Sequence, residues 1–286
     1  MSHMNYSARL GNEIKLITFD IDGTVLPYLS DLDEYTINIL NCLSDRGIEL
    51  LPNSGRGWES LKEAVKNVKG IKYLSASNGS IILKKTDHSV VYSNPLSIEK
   101  AISIFDLLID LGCNPLVILE GMNCRQDLVR LKNPDDLTDK QQRAVESVYS
   151  VGLRKTIESG LFDVHKISCK FDDTAHRMYV RNKMEQMGEI YCCNAHKMNL
   201  EMVHYMNNKG NALKKVADIL QIKMDNVLAL GDANNDIPML KMAGYSVVMK
   251  GSVEAVIKYA KEVTRYEVDE DGAGRYLEDL LKEMQA

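Results

Sequence analysis

Two aspartates separated by one residue, Asp20 and Asp22, follow an apolar run that starts at residue 14. Such a run is typical of a buried parallel strand, and ligands of open α/β sheets collect at the carboxyl ends of strands. On an extended backbone the two carboxylates would point the same way and repel each other. A divalent cation, a shared proton or both would have to offset that repulsion. Taken alone, the pair is equally consistent with a turn or a helix cap, because Asp-Gly-Thr is common in turns.

A second stretch of the same form lies near the other end of the chain. Residues 227–230 are apolar, Gly231 follows, and the acids Asp232 and Asp236 come next. Two acid-tipped buried strands so far apart in the sequence are difficult to explain as turns. If the two strands are neighbours in one sheet, three or four carboxylates converge, which predicts a magnesium site.

These motifs resemble those of the haloacid dehalogenase superfamily. Residues 20–24 (Asp-Ile-Asp-Gly-Thr) and 231–236 (Gly-Asp-Ala-Asn-Asn-Asp) resemble its first and fourth motifs, and the likeness is greatest to the Cof-type phosphatases. Residues 54–56 (Ser-Gly-Arg), at the end of an apolar run, resemble the second motif, and Lys209, which opens a helix, resembles the third. The four motifs occur in the right order at both ends of the chain, whereas the middle is matched only by its length and position.

The resemblance implies an α/β fold with two parts. Residues 1–86 and 200–286 would form a Rossmann-like core, a parallel sheet with helices on both faces. Residues 87–199 would form an inserted, smaller α/β cap of type IIB. In that middle part, helix-period segments alternate with short strands, as in a self-contained domain. We expect the strand near residues 199–203 to return the chain to the core, and Asn78-Gly79 to form a two-residue hairpin turn.

The resemblance also assigns the catalytic roles. Asp20 would be the nucleophile, forming an aspartyl phosphate, and Asp22 would give a proton to the leaving oxygen and later take one from water. Magnesium would be held by Asp20, the main-chain carbonyl of Asp22 and Asp232. Asp236 would act from the second layer around the metal, by orienting a water or Lys209.

Further residues are expected to hold the substrate. Ser54, Lys209 and Asn235 would bind the transferring phosphoryl group, and free N–H groups at Ser54 and Gly55 would add donors. Lys209 is an unusual residue for a helix N-terminus, where the helix dipole disfavours cations, so it is expected to serve an anion.

Arg56 and Asn78 each allow two interpretations from the sequence. Arg56 would either bind substrate or brace its loop, and bracing is the preferred interpretation. Asn78 matches an Asn-Gly that lies near the substrate in Cof-type phosphatases, although the residue is equally explained by the turn alone.

Composition limits the class of protein. The chain has 286 residues, 45% hydrophobic and 26% charged content, and a net charge of −5, which gives no reason to expect nucleic-acid binding. No apolar run approaches ~20 residues, so we expect no membrane partner. Residues 1–4 look like a tag remnant and no signal pattern follows, so we expect a cytoplasmic protein. We also expect a monomer or homodimer whose partner is a small phosphorylated molecule.

Cysteines offer one alternative metal site. Cys192 and Cys193, followed by His196, allow a soft-metal site or simply a buried strand end. The strand end is favoured because no second ligand pair has zinc spacing.

The predicted function is a magnesium-dependent phosphatase acting on sugar phosphates or phosphorylated cofactors. A phosphomutase or other phosphotransferase is the nearest alternative, but we find no Arg/Lys cluster in the cap sequence for a second phosphate. A non-catalytic metabolite-binding protein on the same fold is the other alternative. In the cap, Arg125, Arg130 and His165 are polar residues with some potential to meet a substrate.

Overall fold

The computed structural model describes residues 14–27, 31–125, 128–131 and 134–284 of the chain; the possible tag remnant at residues 1–4 lies outside them. Within the described residues the backbone forms strands in three sheets, numbered in chain order. They are β1 (Leu16–Phe19), β2 (Glu49–Pro52), β3 (Tyr73–Ala76), β4 (Ile81–Lys84), β5 (Val90–Ser93), β6 (Leu116–Leu119), β7 (Met122–Arg125), β8 (Leu128–Arg130), β9 (Val164–Lys170), β10 (Ile190–Cys193), β11 (Asn199–His204), β12 (Val227–Gly231), β13 (Tyr245–Val248) and β14 (Glu262–Val263).

The α-helices of the described residues are short to medium in length. They are α1 (Glu34–Asp45), α2 (Trp58–Ala64), α3 (Ile98–Asp110), α4 (Asp139–Val151), α5 (Leu153–Glu158), α6 (Thr174–Gln186), α7 (Lys209–Leu220), α8 (Ile237–Met242), α9 (Glu254–Ile257) and α10 (Gly272–Glu283). Among them, none has both the length and the apolar character that crossing a lipid bilayer requires.

The core sheet places the two acid-tipped strands side by side. Its five strands are parallel, in the order β14-β13-β12-β1-β2. Leu16 of β1 pairs with Val227 of β12 on one side and with Glu49 of β2 on the other. The carboxyl ends of β12, β1 and β2 therefore meet at one edge of the sheet, and the expectation that β1 and β12 are neighbours is confirmed.

Both faces of this sheet are covered, which explains why its strands are almost continuously apolar. Ile17 and Phe19 of β1 belong to a buried cluster with residues of α1, α2 and α10. Leu16, on the opposite face of the same strand, belongs to a second cluster with residues of α7, α8 and α9. The predicted α/β core with helices on both faces is confirmed.

The cap is built on a different sheet. Its six strands are antiparallel, in the order β10-β11-β9-β6-β7-β8, and its buried cluster includes residues of α3 to α6. Leu200 pairs with Cys169 of β9, and Met202 pairs with Cys192 of β10. The expectation that residues 199–203 return the chain to the core is therefore wrong, because this strand completes the cap sheet and buries its apolar side chains there.

The division between the two parts follows from strand pairing. β5 pairs with β4 in a three-stranded sheet with β3, and β3 adjoins β2 through the bridge between Asn53 and Ser75. β5 thus lies on the core side of the fold. We propose that the cap spans residues 95–204 rather than the expected 87–199.

The connection between β3 and β4 also differs from expectation. Ala76 pairs with Ile81, so the connection has four residues instead of the two of a tight hairpin. Ser77, Asn78 and Gly79 all have positive φ, of 51°, 55° and 82°. This backbone turns the Asn78 side chain toward Glu201 of the cap, which accepts a hydrogen bond from its Nδ2 at 2.7 Å.

Cap and core also meet through two glycines. A Cβ added to Gly57 would lie 2.1 Å from the Gly121 oxygen. A Cβ added to Gly121, which has φ of +80°, would lie 2.1 Å from Cδ1 and Nε1 of Trp58. Trp58 is buried at 6% exposure and its ring centroid lies 5.5 Å from that of His88. The one tryptophan of the chain therefore packs beneath the cap loop.

Replacing Gly121 with alanine should loosen this contact. A methyl group there must displace Trp58, and overpacking of this kind costs about 1–3 kcal/mol of unfolding free energy. We expect a lower urea midpoint and a red-shifted tryptophan emission maximum. Gly112→Ala is the matched control, since Gly112 has φ of +73° but no atom within 4 Å of the added Cβ. Equal destabilisation by both variants, with no change in emission, would contradict the contact.

Candidate active site

A buried lysine lies between two carboxylates at the carboxyl end of β1. Lys209 is fully buried, and its Nζ lies 2.8 Å from Asp20 Oδ1 and 2.6 Å from Asp236 Oδ1. It occupies the first turn of α7, whose N-cap is Asn208. Asn53 fixes this helix start to the end of β2, because its Nδ2 donates to the Lys209 carbonyl at 2.8 Å. Lys209, the cation at this helix N-terminus, is therefore paired with two carboxylates.

Asp236 has both carboxylate oxygens engaged by the protein. Its Oδ1 accepts from Lys209, and its Oδ2 accepts from the N–H groups of Asp232 and Ala233, each at 2.9 Å. Gly231 allows this close approach, since a Cβ there would lie 2.6 Å from the Asp236 Cβ. These contacts support the proposed role for Asp236 behind the metal ligands rather than among them.

Asp232 is held from the other side of the site. Thr24 donates from its hydroxyl to Asp232 Oδ1 at 2.8 Å. Gly23, with φ of +83°, leaves room for the second oxygen, because a Cβ there would lie 2.5 Å from Asp232 Oδ2. The Asp-Gly-Thr segment is thus a turn, as the simplest interpretation holds, and the same turn also builds the acidic site.

The three carboxylates fit a hard divalent cation. Oxygen atoms of Asp20, Asp232 and Asp236 lie within 4.8 Å of one another. Lys209 supplies one positive charge against three negative ones. Burial raises the pKa of Asp20 to about 7 despite Lys209, and burial together with the neighbouring Asp236 raises the pKa of Asp232 well above its usual value. Oxygen donors that lack a compensating charge are what Mg²⁺ binds in proteins.

Arg56 holds Asp22. Its Nε donates to Asp22 Oδ2 at 2.7 Å and its Nη2 donates to Asp22 Oδ1 at 2.6 Å. This two-point contact fixes the orientation of the carboxylate. Of the two interpretations of Arg56 from sequence, bracing is the one that this geometry favours.

The loop after β2 carries Ser54 and Gly55 into the same site. Ser54 is buried at 1% exposure, and its Oγ accepts from the Arg56 N–H at 3.2 Å. Since Oγ already accepts there, its proton is left to donate toward the pocket. The expectation of a free N–H group at Ser54 is wrong, because that N–H donates to the Ser75 carbonyl at 2.9 Å, whereas no described residue accepts a hydrogen bond from the Gly55 N–H. The Ser54 hydroxyl and the Gly55 N–H both suit a phosphate oxygen.

Asn235 and Asn78 complete this edge. Asn235 Nδ2 donates to Asn78 Oδ1 at 3.1 Å, and both side chains are buried at 1% exposure. The Asn235 Oδ1 atom is buried and has no hydrogen-bond partner among the residues that the structure describes. Asn78 is held between Asn235 and Glu201, so its amide positions other side chains.

A cavity of about 490 Å³ opens over these groups, between the core edge and the cap sheet. The cap lines it with residues that sequence analysis did not select: Asn123, Lys166, Lys170, Phe171, Asp172, Ala195, His196, Met198, Asn199 and Glu201. A partial signal for two of them was present, because Lys166 and Glu201 are opposite charges inside short strands that alternate with helices. Lys166 and Lys170 place two basic side chains on the cap side of the cavity, where no basic cluster was expected from the sequence.

Other sequence candidates lie away from this cavity. His165 is buried against Ser80 (Nδ1 to Oγ, 3.3 Å), and burial lowers its pKa to about 4. Arg125 and Arg130 do not line the cavity. Cys192 and Cys193 are buried free thiols at a strand end, as the favoured interpretation held, and burial raises the pKa of both thiols.

Comparisons with known proteins agree with this arrangement. The family model described as haloacid dehalogenase-like hydrolase matches residues 17–277. A Bacillus subtilis protein named 5-amino-6-(5-phospho-D-ribitylamino)uracil phosphatase YwtE is 22% identical over 285 residues, covering 94% of this chain and 98% of that protein. A putative phosphatase of Haemophilus influenzae is 24% identical, covering 94% and 99%.

Solved structures share the fold. A haloacid dehalogenase-like hydrolase from B. subtilis aligns with a TM-score of 0.73 at 21% identity, covering 93% of this chain and 99% of that one. A subclass IIB sugar phosphatase of the same superfamily aligns with a TM-score of 0.72 at 16% identity, covering 92% and 98%.

Removal of the buried cation should be strongly destabilising. Lys209→Met leaves Asp20 and Asp236 buried without their counter-charge, a change that costs about 3–5 kcal/mol of unfolding free energy. Lys214→Met on the same helix removes only an exposed pair with Asp218 and should cost much less. Urea unfolding in metal-free buffer measures both, and similar midpoints for the two variants would contradict the role of Lys209.

Stabilisation by Mg²⁺ should depend on pH. Because the pKa of Asp20 is raised to about 7, the metal-free folded state binds a proton that the unfolded state has lost. Its stability therefore falls as pH rises from about 4 to about 7. Mg²⁺ binds the ionised carboxylates, so the rise in unfolding temperature that it causes should be larger at about pH 8 than at about pH 5.5. Asp232→Asn is the control, and an equal rise at both pH values would refute this linkage.

Proposed function

This chain belongs to the haloacid dehalogenase-like hydrolase family and is, at the level of that family, a phosphatase; from that premise we propose that it hydrolyses small phosphorylated metabolites in a magnesium-dependent reaction. The observation that carries the proposal is the meeting of Asp20, Asp232 and Lys209 beneath a cavity that the cap covers. Sugar phosphates and phosphorylated cofactors are the proposed substrates.

Asp20 attacks the phosphorus atom. Its Oδ1 is engaged by Lys209 and by the Ile21 N–H at 2.7 Å, whereas its Oδ2 accepts no hydrogen bond from the described residues. Oδ2 is therefore the oxygen available as the nucleophile. A bond forms between Oδ2 and phosphorus as the bond from phosphorus to the ester oxygen breaks, which gives an aspartyl phosphate.

Asp22 moves the protons. It gives a proton to the departing ester oxygen and then takes one from the water that attacks the aspartyl phosphate, which releases phosphate and restores Asp20. The two-point contact with Arg56 fixes its orientation, and before Asp22 can act as an acid one of those hydrogen bonds must open so that the freed oxygen takes up a proton from solvent. Ser54, Gly55, Asn235 and Lys209 hold the phosphoryl oxygens.

Magnesium would be held by Asp20, Asp232 and the main-chain carbonyl of Asp22, with Asp236 behind them. When bound, the ion neutralises charge on the phosphoryl oxygens and orients them for in-line attack. Lys209 and the N–H groups around Asp236 keep the carboxylates in place before the ion arrives.

Substrate choice belongs to the cap side of the cavity. Lys170, His196 and Asn123 are polar there, and Phe171 and Met198 are apolar. Of the two lysines that the cap contributes to the cavity lining, Lys166 is paired with Glu201, whereas Lys170 forms no ion pair with a described residue.

Asp20→Asn should abolish magnesium-dependent phosphate release. Removing the nucleophile should lower kcat by roughly 10³-fold or more. The assay uses a panel of sugar phosphates, phosphorylated cofactors and 5-amino-6-(5-phospho-D-ribitylamino)uracil, the compound in the name of one relative. Asp218→Asn, on the exposed side of α7, is the matched control and should leave turnover unchanged.

No release from any compound, with folded protein and magnesium bound, would overturn the phosphatase proposal. Transfer of the phosphoryl group within a substrate, without release, would instead identify a mutase. Saturable binding of a metabolite without either reaction would identify a binding protein.

A further inference from the structure

A buried ion pair in the cap reaches into the core. Lys166 of β9 and Glu201 of β11 are both 5% exposed, and Lys166 Nζ lies 2.5 Å from Glu201 Oε1. The same Nζ donates to the carbonyl of Gly55 at 2.5 Å. Glu201 Oε2 accepts from Asn78 Nδ2 at 2.7 Å. Two cap side chains thus contact the loop that carries Ser54 and the turn that carries Asn78.

Each of the three carbonyls of the loop at residues 54–56 accepts a hydrogen bond, and only the Gly55 carbonyl accepts it from a cap residue. The Ser54 carbonyl accepts from the Asn78 N–H at 3.0 Å, and the Arg56 carbonyl accepts from the Ser77 N–H at 2.8 Å. Between them, the Gly55 carbonyl accepts from Lys166. The orientation of the peptide between Gly55 and Arg56 is therefore fixed from the cap, while its neighbours are fixed by the core.

That peptide connects Lys166 to the Ser54 hydroxyl. Its carbonyl oxygen accepts from Lys166, and its N–H, which is the Arg56 N–H, donates to Ser54 Oγ at 3.2 Å. Hydrogen bonds in such a chain strengthen one another, because each donor polarises the next. With Oγ accepting on one side, the hydroxyl proton is directed toward the cavity, where the phosphoryl group is proposed to lie.

We propose that Lys166 is a positioning residue of this active site, which acts through the Gly55–Arg56 peptide to set the Ser54 hydroxyl and so makes phosphoryl binding depend on the cap being seated. This inference rests on the proposed function. Lys166 need not touch the substrate, because its ammonium is already shared between Glu201 and the Gly55 carbonyl. Without it, the peptide loses the contact that keeps its N–H on Ser54.

Lys166→Met should lower kcat by about 10- to 100-fold, somewhat less than the loss of a direct oxyanion donor, and should raise KM several-fold, because the Ser54 hydroxyl holds the phosphoryl group in the bound substrate as well. The factor should be the same for p-nitrophenyl phosphate and for the best metabolite of the panel, because the effect lies in the loop. A loss confined to the larger substrate would show substrate contact instead, and would overturn the proposal. Lys100→Met is the matched control, since Lys100 also donates to backbone carbonyls in the cap, those of Met187 and Gly188, far along the chain from this loop.

A double-mutant cycle with Ser54→Ala tests the connection itself. If Lys166 acts through Ser54, adding Lys166→Met to Ser54→Ala should cost less than about twofold further in kcat. Independent losses that multiply would indicate a general effect on cap seating and would overturn the proposal. Lys166→Arg should recover part of the activity, because a guanidinium can still donate to the Gly55 carbonyl.

Two further measurements keep the outcome interpretable. If Lys166→Met alone does not fold, Lys166→Met with Glu201→Gln leaves no buried unpaired charge and keeps an acceptor for Asn78. Calorimetric binding of inorganic phosphate, with magnesium, tests the loop without turnover: the Lys166 variant should bind it several-fold more weakly, and unchanged binding would refute the role. If the wild-type protein binds phosphate but hydrolyses no compound, the proposed function is overturned, whereas the role of Lys166 in phosphate binding is still tested by its variant.

Discussion

The excess of negative charge at one edge of the core sheet is the constraint on which the site depends. Parallel pairing of β1 with β12 brings Asp20, Asp232 and Asp236 together, and Lys209 is the single buried cation among them. Ion pairs of this kind persist in a low-dielectric interior only where hydrogen bonds satisfy the remaining oxygens. Asp236 meets that condition through two backbone N–H groups, whereas Asp20 and Asp232 keep oxygen atoms that the described residues do not fully satisfy. The same arrangement that costs the metal-free fold stability is the one on which the proposed magnesium and phosphate sites depend.

The cap is joined to this edge by two kinds of contact. Gly57 and Gly121 let backbone meet backbone beside Trp58, where any larger residue would separate the two parts. The Lys166–Glu201 pair adds charge-assisted hydrogen bonds to the loop and turn that carry Ser54 and Asn78. The glycine and tryptophan contacts fix the distance between the cap and the core. The polar contacts orient the loop that carries Ser54 and the turn that carries Asn78. The cap therefore does more than cover the cavity.

Sequence reasoning predicted the core because its signals are local. Apolar runs that end in Asp and Gly specify a buried strand and its acidic tip, and the positions of Asp20, Asp232 and Lys209 follow from the strand order. The assignment of β11 to the core is wrong because a short, largely buried strand fits either sheet, and only pairing with β9 decides between them. The turn at Asn78 differs from expectation for a related reason, since Asn-Gly also favours a tight hairpin, whereas its partners are distant in the chain: the Ser54 and Arg56 carbonyls of the core and Glu201 of the cap. The roles of Lys166 and Glu201 depend on contacts across 35 residues of sequence, which no local pattern records.

The chain order of the core has a consequence for how the protein is made. Leu16 of β1 pairs with Val227, whereas the cap sheet is built from one continuous segment that runs from β6 to β11. During synthesis the cap segment leaves the ribosome complete while β1 and β2 still lack the strand that lies beside them. Pairing must then close a very long loop, which is a slow step in folding. A nascent chain thus carries the cap segment between two unfinished halves of a core, and its apolar first strand stays open to aggregation until β12 has been made.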